Sequence, residues 1–312
     1  MGFSRIVSRQ LPDGTLCKVY PFHISLEGME SVLLCRDEED YDTMIKYFHV
    51  CSWVHNVLVV CEIAMSNHGH FSVLAIDIHA AERTGEAVKK NYSQYLSWKY
   101  GEKSTLARAD VNVQYLDTEW YVRNALAYIP RNALDAGVSV DEYPWSSYRA
   151  MFSSAPRDPY ARRVSLLSRR DKESLLHTHA DLSGVPWLLD RAGRLDPASC
   201  CDRQYLESAF NHDQAFFLKT IGSVNPAEMH QRLVAGPRRW QKDDEFHVML
   251  ADTADRWFHK AIPELTLEMK TRLIPYVFRC YRTSVAQLAR CLRLEVRQVE
   301  EILHHATPVR MQ

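Results

Sequence analysis

Residues 56–76 read NVLVVCEIAMSNHGHFSVLAI, two short apolar segments joined at a Ser-Asn pair. Both segments are rich in β-branched residues, which favours strands over helices. Side chains two positions apart in a strand point to the same face, so His68 and His70 are predicted to project together. Gly69 lies between them and leaves the opposite face open to close packing. Two imidazoles that converge from one strand make half of a metal site.

A second segment, residues 121–137, reads YVRNALAYIPRNALDAG and predicts a helix that Thr118 caps and Gly137 ends. Tyr128 and Asn132 would lie one turn apart on the same side of this helix. A phenolic oxygen can attack a phosphodiester that a metal polarises, and the amide oxygen of Asn132 is suited to complete a site with two imidazoles. The two segments together predict DNA strand cleavage through a phosphotyrosine.

Four strings in the first half of the chain carry a resemblance to a known family. AMSNHGH at 64–70 resembles the His-hydrophobic-His motif of the HUH nucleases. AYIPRNALDAG at 127–137, followed by YPWSSY at 143–148, is similar to the tyrosine segment of the single-tyrosine transposases, in particular the REP-associated branch. VYPFHIS at 19–25 is similar to the opening strand of that family, and DEEDYD at 37–42 to the start of its first helix.

This resemblance implies an α+β fold, a ferredoxin-like antiparallel sheet with flanking helices, in which the histidines lie on a central strand and the tyrosine on a helix against it. By position, His68, His70 and Asn132 would bind Mg²⁺ or Mn²⁺, and Tyr128 would be the nucleophile. The implied activity is that of a transposase, which cleaves and rejoins single-stranded DNA at a hairpin or palindromic repeat through a 5′-phosphotyrosine intermediate.

The chain departs from the family pattern at four positions. Gly69 stands where the family has a hydrophobic residue, and Ser66 and Ala133 stand where it has prolines. Pro130 lies inside the expected helix, where it removes a backbone donor and predicts a kink between the tyrosine and the asparagine.

These departures keep a second hypothesis open, a domesticated DNA-binding regulator that no longer cuts. A replication initiator or relaxase of the same chemistry is a third, although the sequence lacks the Gly-rich phosphate-binding loop of its larger members.

Tyr92, Tyr95 and Tyr100 are competing nucleophiles on an earlier predicted helix. They have no carboxamide one turn further on, so Tyr128 is preferred.

Composition agrees with a DNA enzyme without selecting one. The chain has 312 residues, of which 46% are hydrophobic and 25% charged, as is typical of a soluble globular protein of two domains. No apolar run approaches the ~20 residues needed to span a bilayer, and no secretory signal begins the chain, so a cytoplasmic protein without membrane contact is expected. The eight cysteines include no Cys-x-x-Cys pair, which favours reduced, buried thiols over a zinc module.

A net charge of −1 conceals an uneven distribution along the chain. Residues 27–42 are acidic, whereas residues 149–172 contain seven basic and two acidic residues, a net charge of +5. Such a segment can follow a phosphate backbone or serve as a solvated linker. A smaller cluster, RRWQK at 238–242, includes an indole that can stack on bases. The arginines predicted to contact DNA in the longer segment are Arg162, Arg163, Arg169 and Arg170.

From about Cys201 onward the pattern is helical. We therefore expect a nuclease domain at 1–150, a basic linker at 151–200 and an all-α domain at 201–312. Residues 284–303 fit two short helices across a tight turn and resemble a helix-turn-helix, in which Arg297 and Gln298 would be exposed for DNA contact. Plain helical packing is the alternative. The sequence leaves both a monomer and a homodimer open.

Overall fold

The computed structural model describes residues 3–27, 33–101, 106, 111–154, 158–234 and 241–306. It divides the chain into two compact units, Met1–Gly236 and Pro237–Gln312, and combines helices with an antiparallel sheet. No helix within the described ranges is both long and apolar enough to cross a membrane. Arg157 and most of the RRWQK cluster, residues 238–240, lie outside the described residues.

The first unit begins with an alternation of strands and helices and continues with short helices. Its strands are β1 (Val7–Gln10), β2 (Leu16–Glu27), β3 (Leu58–Ala64), β4 (His68–Ala75), β5 (Val111–Tyr115), β6 (Arg162–Arg163) and β7 (Leu188–Leu189). Its helices are α1 (Glu38–Val54), α2 (Ile78–Tyr100), α3 (Glu119–Asp135), α4 (Arg169–Leu176), α5 (Pro197–Cys200), α6 (Arg203–Ala209), α7 (Gln214–Ser223) and α8 (Pro226–Leu233).

The main sheet is antiparallel, and β4 is one of its inner strands. Along the sheet the strands lie in the order β5-β2-β4-β3. Strand β1 pairs with β2 at residues 16–19, and β5 pairs with β2 at residues 22–26. Along the chain the order is β2-α1-β3-β4-α2-β5. The strand pair expected around Ser66-Asn67 is confirmed as β3 and β4, and the expected capping of α3 by Thr118 is also confirmed. Asp37, the first residue of the DEEDYD string, caps α1.

Helices α1 and α2 cover one face of the sheet. The Phe48 ring of α1 stacks on Phe71 of β4, with 4.5 Å between ring centroids. A Cβ on Gly69 would lie 2.8 Å from Phe48 Cζ and 2.9 Å from Met44 Sδ. The close approach expected behind the two histidines is therefore confirmed, because only glycine leaves room for α1 at this point of β4.

Helix α3 covers the other face. Its Val122, Leu126 and Ile129 share a core with Cys61 and Ile63 of β3. Helices α6, α7 and α8 pack in turn against α3. This is why the first unit continues to residue 236 rather than ending near 150, and why the helical unit begins at 237 rather than at 201.

The segment expected as a basic linker at 151–200 folds against α1 instead. Val164, Leu176, Trp187 and Leu189 are buried there and form a small core together with Val50 of α1. Burial of these widely spaced apolar residues stabilises the segment, although its average composition is polar and basic.

The second unit is helical. It consists of α9 (Asp243–Phe258), α10 (Leu267–Cys280), α11 (Val285–Leu292) and α12 (Val296–His305). Arg293 makes the turn between α11 and α12 with a φ of 53°, in the left-handed region where a glycine is more common. Leu288 and Leu292 of α11 and Val299 of α12 are buried, so the two helices pack as the periodicity predicts.

Candidate functional site

The face of the sheet that α3 covers holds the predicted catalytic residues. His68 and His70 lie on β4 opposite Glu27 and Ser25 of β2, and residues paired directly across strands share one face. Tyr128 and Asn132 reach this face from α3. The ring of Tyr128 packs edge-on against His70, with 5.4 Å between ring centroids. The fold thus brings together all four residues singled out from the sequence.

The helix that carries the tyrosine and the asparagine is continuous. The expected kink at Pro130 does not divide α3, which runs from Glu119 to Asp135. The side-chain amide of Asn132 donates hydrogen bonds to the carbonyls of Tyr128 and Ile129, at 2.7 and 3.2 Å. These two bonds hold the amide nitrogen against the helix and direct Oδ1 towards the sheet.

His68 lies between two amide oxygens. Its Nδ1 is 2.8 Å from Asn67 Oδ1, and its Nε2 is 3.3 Å from Asn132 Oδ1. Burial lowers the pKa of His68, so the ring is neutral at pH 7 and carries a single N–H. When that N–H is on Nδ1 and faces Asn67, the lone pair of His68 Nε2 points at a lone pair of Asn132 Oδ1. A cation bound between the two atoms stabilises this arrangement.

His70 is fully buried and contacts a third histidine. Its Nδ1 lies 3.2 Å from Nε2 of His23 on β2. Burial, and then the neighbouring rings, lower the pKa of His70 well below its usual value, and burial lowers the pKa of His23 to about 3. Both rings are therefore neutral. When His70 donates to His23, the Nε2 lone pair of His70 is free for a ligand.

Two buried polar atoms on this face have no hydrogen-bond partner in the described part of the chain. These atoms are Ser25 Oγ and His23 Nδ1. Such atoms are uncommon in native interiors and often mark the place of a water or an ion.

The hydroxyl group of Tyr128 is protonated at neutral pH. Burial raises its pKa to about 12, and the charges of Asp135 and Glu27 add to that effect. The side chain is only 4% exposed. Attack by this phenol therefore requires both access to the site and a local positive charge that favours the phenolate.

Sequence reasoning missed two residues at this site. His23 was quoted only as part of the opening strand, yet the alternation of Phe22, Ile24 and Leu26 with polar residues already predicted that it faces the same side as Ser25. His230 of α8 lies 3.9 Å from Glu27 through Nδ1 and Oε1, and its charge also lowers the pKa of His68. No local pattern indicated His230, because α8 reaches the sheet only in the tertiary structure.

The competing tyrosines have structural partners on the opposite side of the sheet. The hydroxyl of Tyr92 donates to the carbonyl of Leu34 at 2.8 Å. Those of Tyr95 and Tyr100 donate to the carboxylate of Asp40 in α1, at 3.0 and 2.6 Å. Their positions on α2 separate all three from the histidines, which favours Tyr128 further.

The arginines of the first unit that were predicted to bind DNA are exposed. They lie on other elements than the histidines and are distant from them in sequence. Arg162 and Arg163 form β6, which pairs with β7. Arg169 and Arg170 begin α4, where Arg169 pairs with Glu173 at 2.8 Å. In the second unit Arg297 is exposed on α12, whereas the side chain of Gln298 accepts a hydrogen bond from the Glu295 amide and so caps that helix.

A cavity of about 350 Å³ in the first unit lies elsewhere, beside Glu62, Trp145 and Arg194. It does not contain the histidine site. Comparison of this chain with models of known families, with curated proteins and with solved structures finds no match.

Proposed function

We propose that this protein is a metal-dependent HUH-type tyrosine nuclease that acts as a transposase on single-stranded DNA. The observation that carries the proposal is the convergence of His68 Nε2 and Asn132 Oδ1 at 3.3 Å, next to a His70 ring that packs against Tyr128. Two imidazoles, an amide oxygen and a phenol on one face of a sheet are the groups that this chemistry needs.

The sheet order supports a ferredoxin-like arrangement. A chain order of β2-α1-β3-β4-α2-β5 with a spatial order of β5-β2-β4-β3 is that of a split β-α-β unit repeated on one antiparallel sheet. This topology places the histidine strand inside the sheet, where the HUH resemblance implies that it lies.

The donor set fits a divalent cation. Octahedral ligands at ~2.1 Å from Mg²⁺ lie ~3.0 Å apart, close to the observed separation of His68 Nε2 and Asn132 Oδ1. The neutral rings of His68 and His70 and the fixed amide of Asn132 would hold Mg²⁺ or Mn²⁺. When bound, the ion would neutralise charge on the phosphoryl oxygens of the scissile phosphate and favour the phenolate.

The transfer of the phosphoryl group itself depends on Tyr128. Tyr128 supplies the oxygen that forms the bond to phosphorus, while the bond to the 3′ oxygen breaks and that oxygen leaves as a 3′-hydroxyl after taking up a proton. The covalent product is a 5′-phosphotyrosine, and its reversal by another 3′-hydroxyl rejoins strands. Because one tyrosine is available at this site, cleavage and joining alternate.

A second candidate is a DNA-binding regulator that keeps the fold but does not cut. The burial of Tyr128, whose side chain is 4% exposed, favours it, because a buried phenol is not ready for attack. The packing of α11 and α12 as two helices across a tight turn suits either candidate.

Tyr128→Phe tests the nuclease directly. The change removes one oxygen and nearly preserves side-chain volume, so stability should change little while cleavage of a hairpin-bearing oligonucleotide and its covalent adduct disappear together. Tyr121→Phe is the matched control, since it removes a phenol from the same helix and should retain activity. Gel analysis and peptide mapping of the adduct with Mg²⁺ or Mn²⁺ provide the measurement.

The outcomes separate the candidates. Attachment at Tyr92, Tyr95 or Tyr100 would show that Tyr128 is the wrong nucleophile. If the wild-type protein forms no adduct with either metal but binds the hairpin, the regulator is the better description. Full cleavage in the presence of chelator would exclude the metal site.

A further inference from the structure

A second cluster of metal-binding side chains lies on the α1 face of the sheet, opposite the histidine site. It is built from two consecutive elements, α1 and β3, and from α5, which lies far along the chain. His49 comes from α1, Glu62 from β3, and Cys200 and Cys201 from the end of α5. The side chains of His49 and Glu62 are each 1% exposed. The ring nitrogen of His49 and the two sulfur atoms all lie within 4.8 Å of one another.

The distances fit a tetrahedral ion. His49 Nε2 lies 3.4 Å from Cys200 Sγ and 3.5 Å from Glu62 Oε1, and Cys201 Sγ lies 3.2 Å from Glu62 Oε2. With Zn–S bonds of ~2.3 Å and Zn–N or Zn–O bonds of ~2.0–2.2 Å, the ligands of tetrahedral zinc are ~3.3–3.8 Å apart. The carboxylate of Glu62 is not among the groups whose ligand atoms all lie within 4.8 Å of one another, so it would have to turn towards the other three ligands to close the site.

The cluster also contains a buried carboxylate oxygen without a hydrogen bond. Within the described residues, Oε1 of Glu62 accepts no hydrogen bond, and it forms an ion pair with His49 Nε2 at 3.5 Å. Burial lowers the pKa of His49, but the Glu62 carboxylate raises it to about 10, so the protonated ring offsets the buried carboxylate. A bound cation would take over that role.

We propose that His49, Glu62, Cys200 and Cys201 together bind one Zn²⁺. Thiolate and imidazole ligands select zinc over the hard ion expected at the histidine site. Four protein ligands leave no open position, so the role is structural. Binding would release the protons of the two thiols and of the imidazole and would join α5 to α1 and β3.

This proposal differs from the sequence expectation that the cysteines argue against a zinc module. That expectation depended on the absence of Cys-x-x-Cys, a pattern in which nearby residues supply the ligands. Here only the adjacent pair Cys200-Cys201 is local, and the fold supplies the other two ligands.

The cluster borders the cavity of about 350 Å³ noted above. Glu62, Pro197 and Ala198 are among the residues that line this cavity, so an ion would approach the cluster from there. The zinc proposal does not depend on the nuclease activity.

Cobalt substitution tests the proposal on the full chain. On addition of Co²⁺ the metal-free protein should develop the near-ultraviolet thiolate-to-cobalt charge-transfer absorption of a tetrahedral site, and this band should saturate at one equivalent per chain. The histidine site contains no sulfur and cannot produce this band. Zinc analysis should find one ion per chain in the protein as purified, and chelation should lower its melting temperature until Zn²⁺ is restored.

Two variants make the assignment specific. The double change Cys200→Ser, Cys201→Ser should abolish the charge-transfer band and weaken Zn²⁺ binding by more than the ~10–100-fold typical of losing an outer-sphere partner. The matched control, Cys17→Ser on β2, should keep both. If the double variant does not fold, the wild-type protein is alkylated with and without Zn²⁺ instead. Protection of two thiols by Zn²⁺ then gives the same answer.

The proposal would be overturned by a wild-type protein that shows no thiolate-to-cobalt band and no protection of its thiols. A Cys200–Cys201 disulfide in protein purified with reductant would overturn it as well, since the sulfur atoms would then be unavailable to the metal.

Discussion

Gly69 offers the sharpest test of how the sheet positions the two histidines. In a Gly69→Ala variant the new Cβ would lie 2.8 Å from Phe48 Cζ and 2.9 Å from Met44 Sδ. Carbon atoms in good contact are ~3.5–4.0 Å apart, so both neighbours must move. The Met44 side chain can change rotamer, but Phe48 is fully buried and stacks on Phe71.

The net cost can be estimated from two opposing effects. Overpacking of a buried site costs ~1–3 kcal/mol, whereas alanine in place of glycine in a strand recovers ~0.5–1 kcal/mol of conformational entropy. We expect the free energy of unfolding of the first unit to fall by ~1–2 kcal/mol, and a domain of this size loses ~2–4 °C of melting temperature per kcal/mol.

Guanidinium unfolding and thermal melts in two backgrounds provide the assay. In a Phe48→Leu background the obstructing Cζ is absent, so Gly69→Ala should become neutral, with a coupling energy of ~1 kcal/mol or more between the two positions. Gly222→Ala is the control, because a Cβ at Gly222 in α7 meets no atom within 4 Å and should stabilise the helix. An equal cost of Gly69→Ala in both backgrounds, or a gain in stability, would refute the packing argument.

Two further predictions concern the site and its DNA. His23→Ala should weaken Mn²⁺ binding at the histidine site by ~10–100-fold, because it removes the partner that orients His70; unchanged affinity in an electron paramagnetic resonance titration would assign His23 to packing alone. Arg297→Ala should reduce discrimination between target and non-target hairpins by ~1–3 kcal/mol if Arg297 contacts a base edge. Fluorescence anisotropy measures this, and affinities unchanged on both hairpins would favour plain packing of α12.

Much of the local structure could be predicted from the sequence. The β-branched runs on either side of Ser66 predicted the strand pair, and the two-residue period of a strand predicted that His68 and His70 share one face. Thr118 and Gly137 bounded the helix of Tyr128 and Asn132. Pro130 does not interrupt this helix, because packing of α3 against the sheet maintains a helix that the proline weakens locally.

Predictions over longer ranges were less successful. The basic composition of residues 151–200 concealed a small core around Trp187, and helices α6 to α8 joined the first unit because they pack against α3. Average composition does not record which apolar side chains meet, so it could not locate the boundary near residue 237.

Local patterns in the sequence predict β3 and β4, the ends of α3 and the common side of β4 on which both histidines lie, because these depend on periodicities and caps within a few residues. The contact of His23 with His70, and those of His49 and Glu62 with the cysteine pair, become visible only in the folded chain. Such contacts depend on strand register and on helix packing between residues far apart in the chain. These are set by burial of the whole core, which no short pattern encodes.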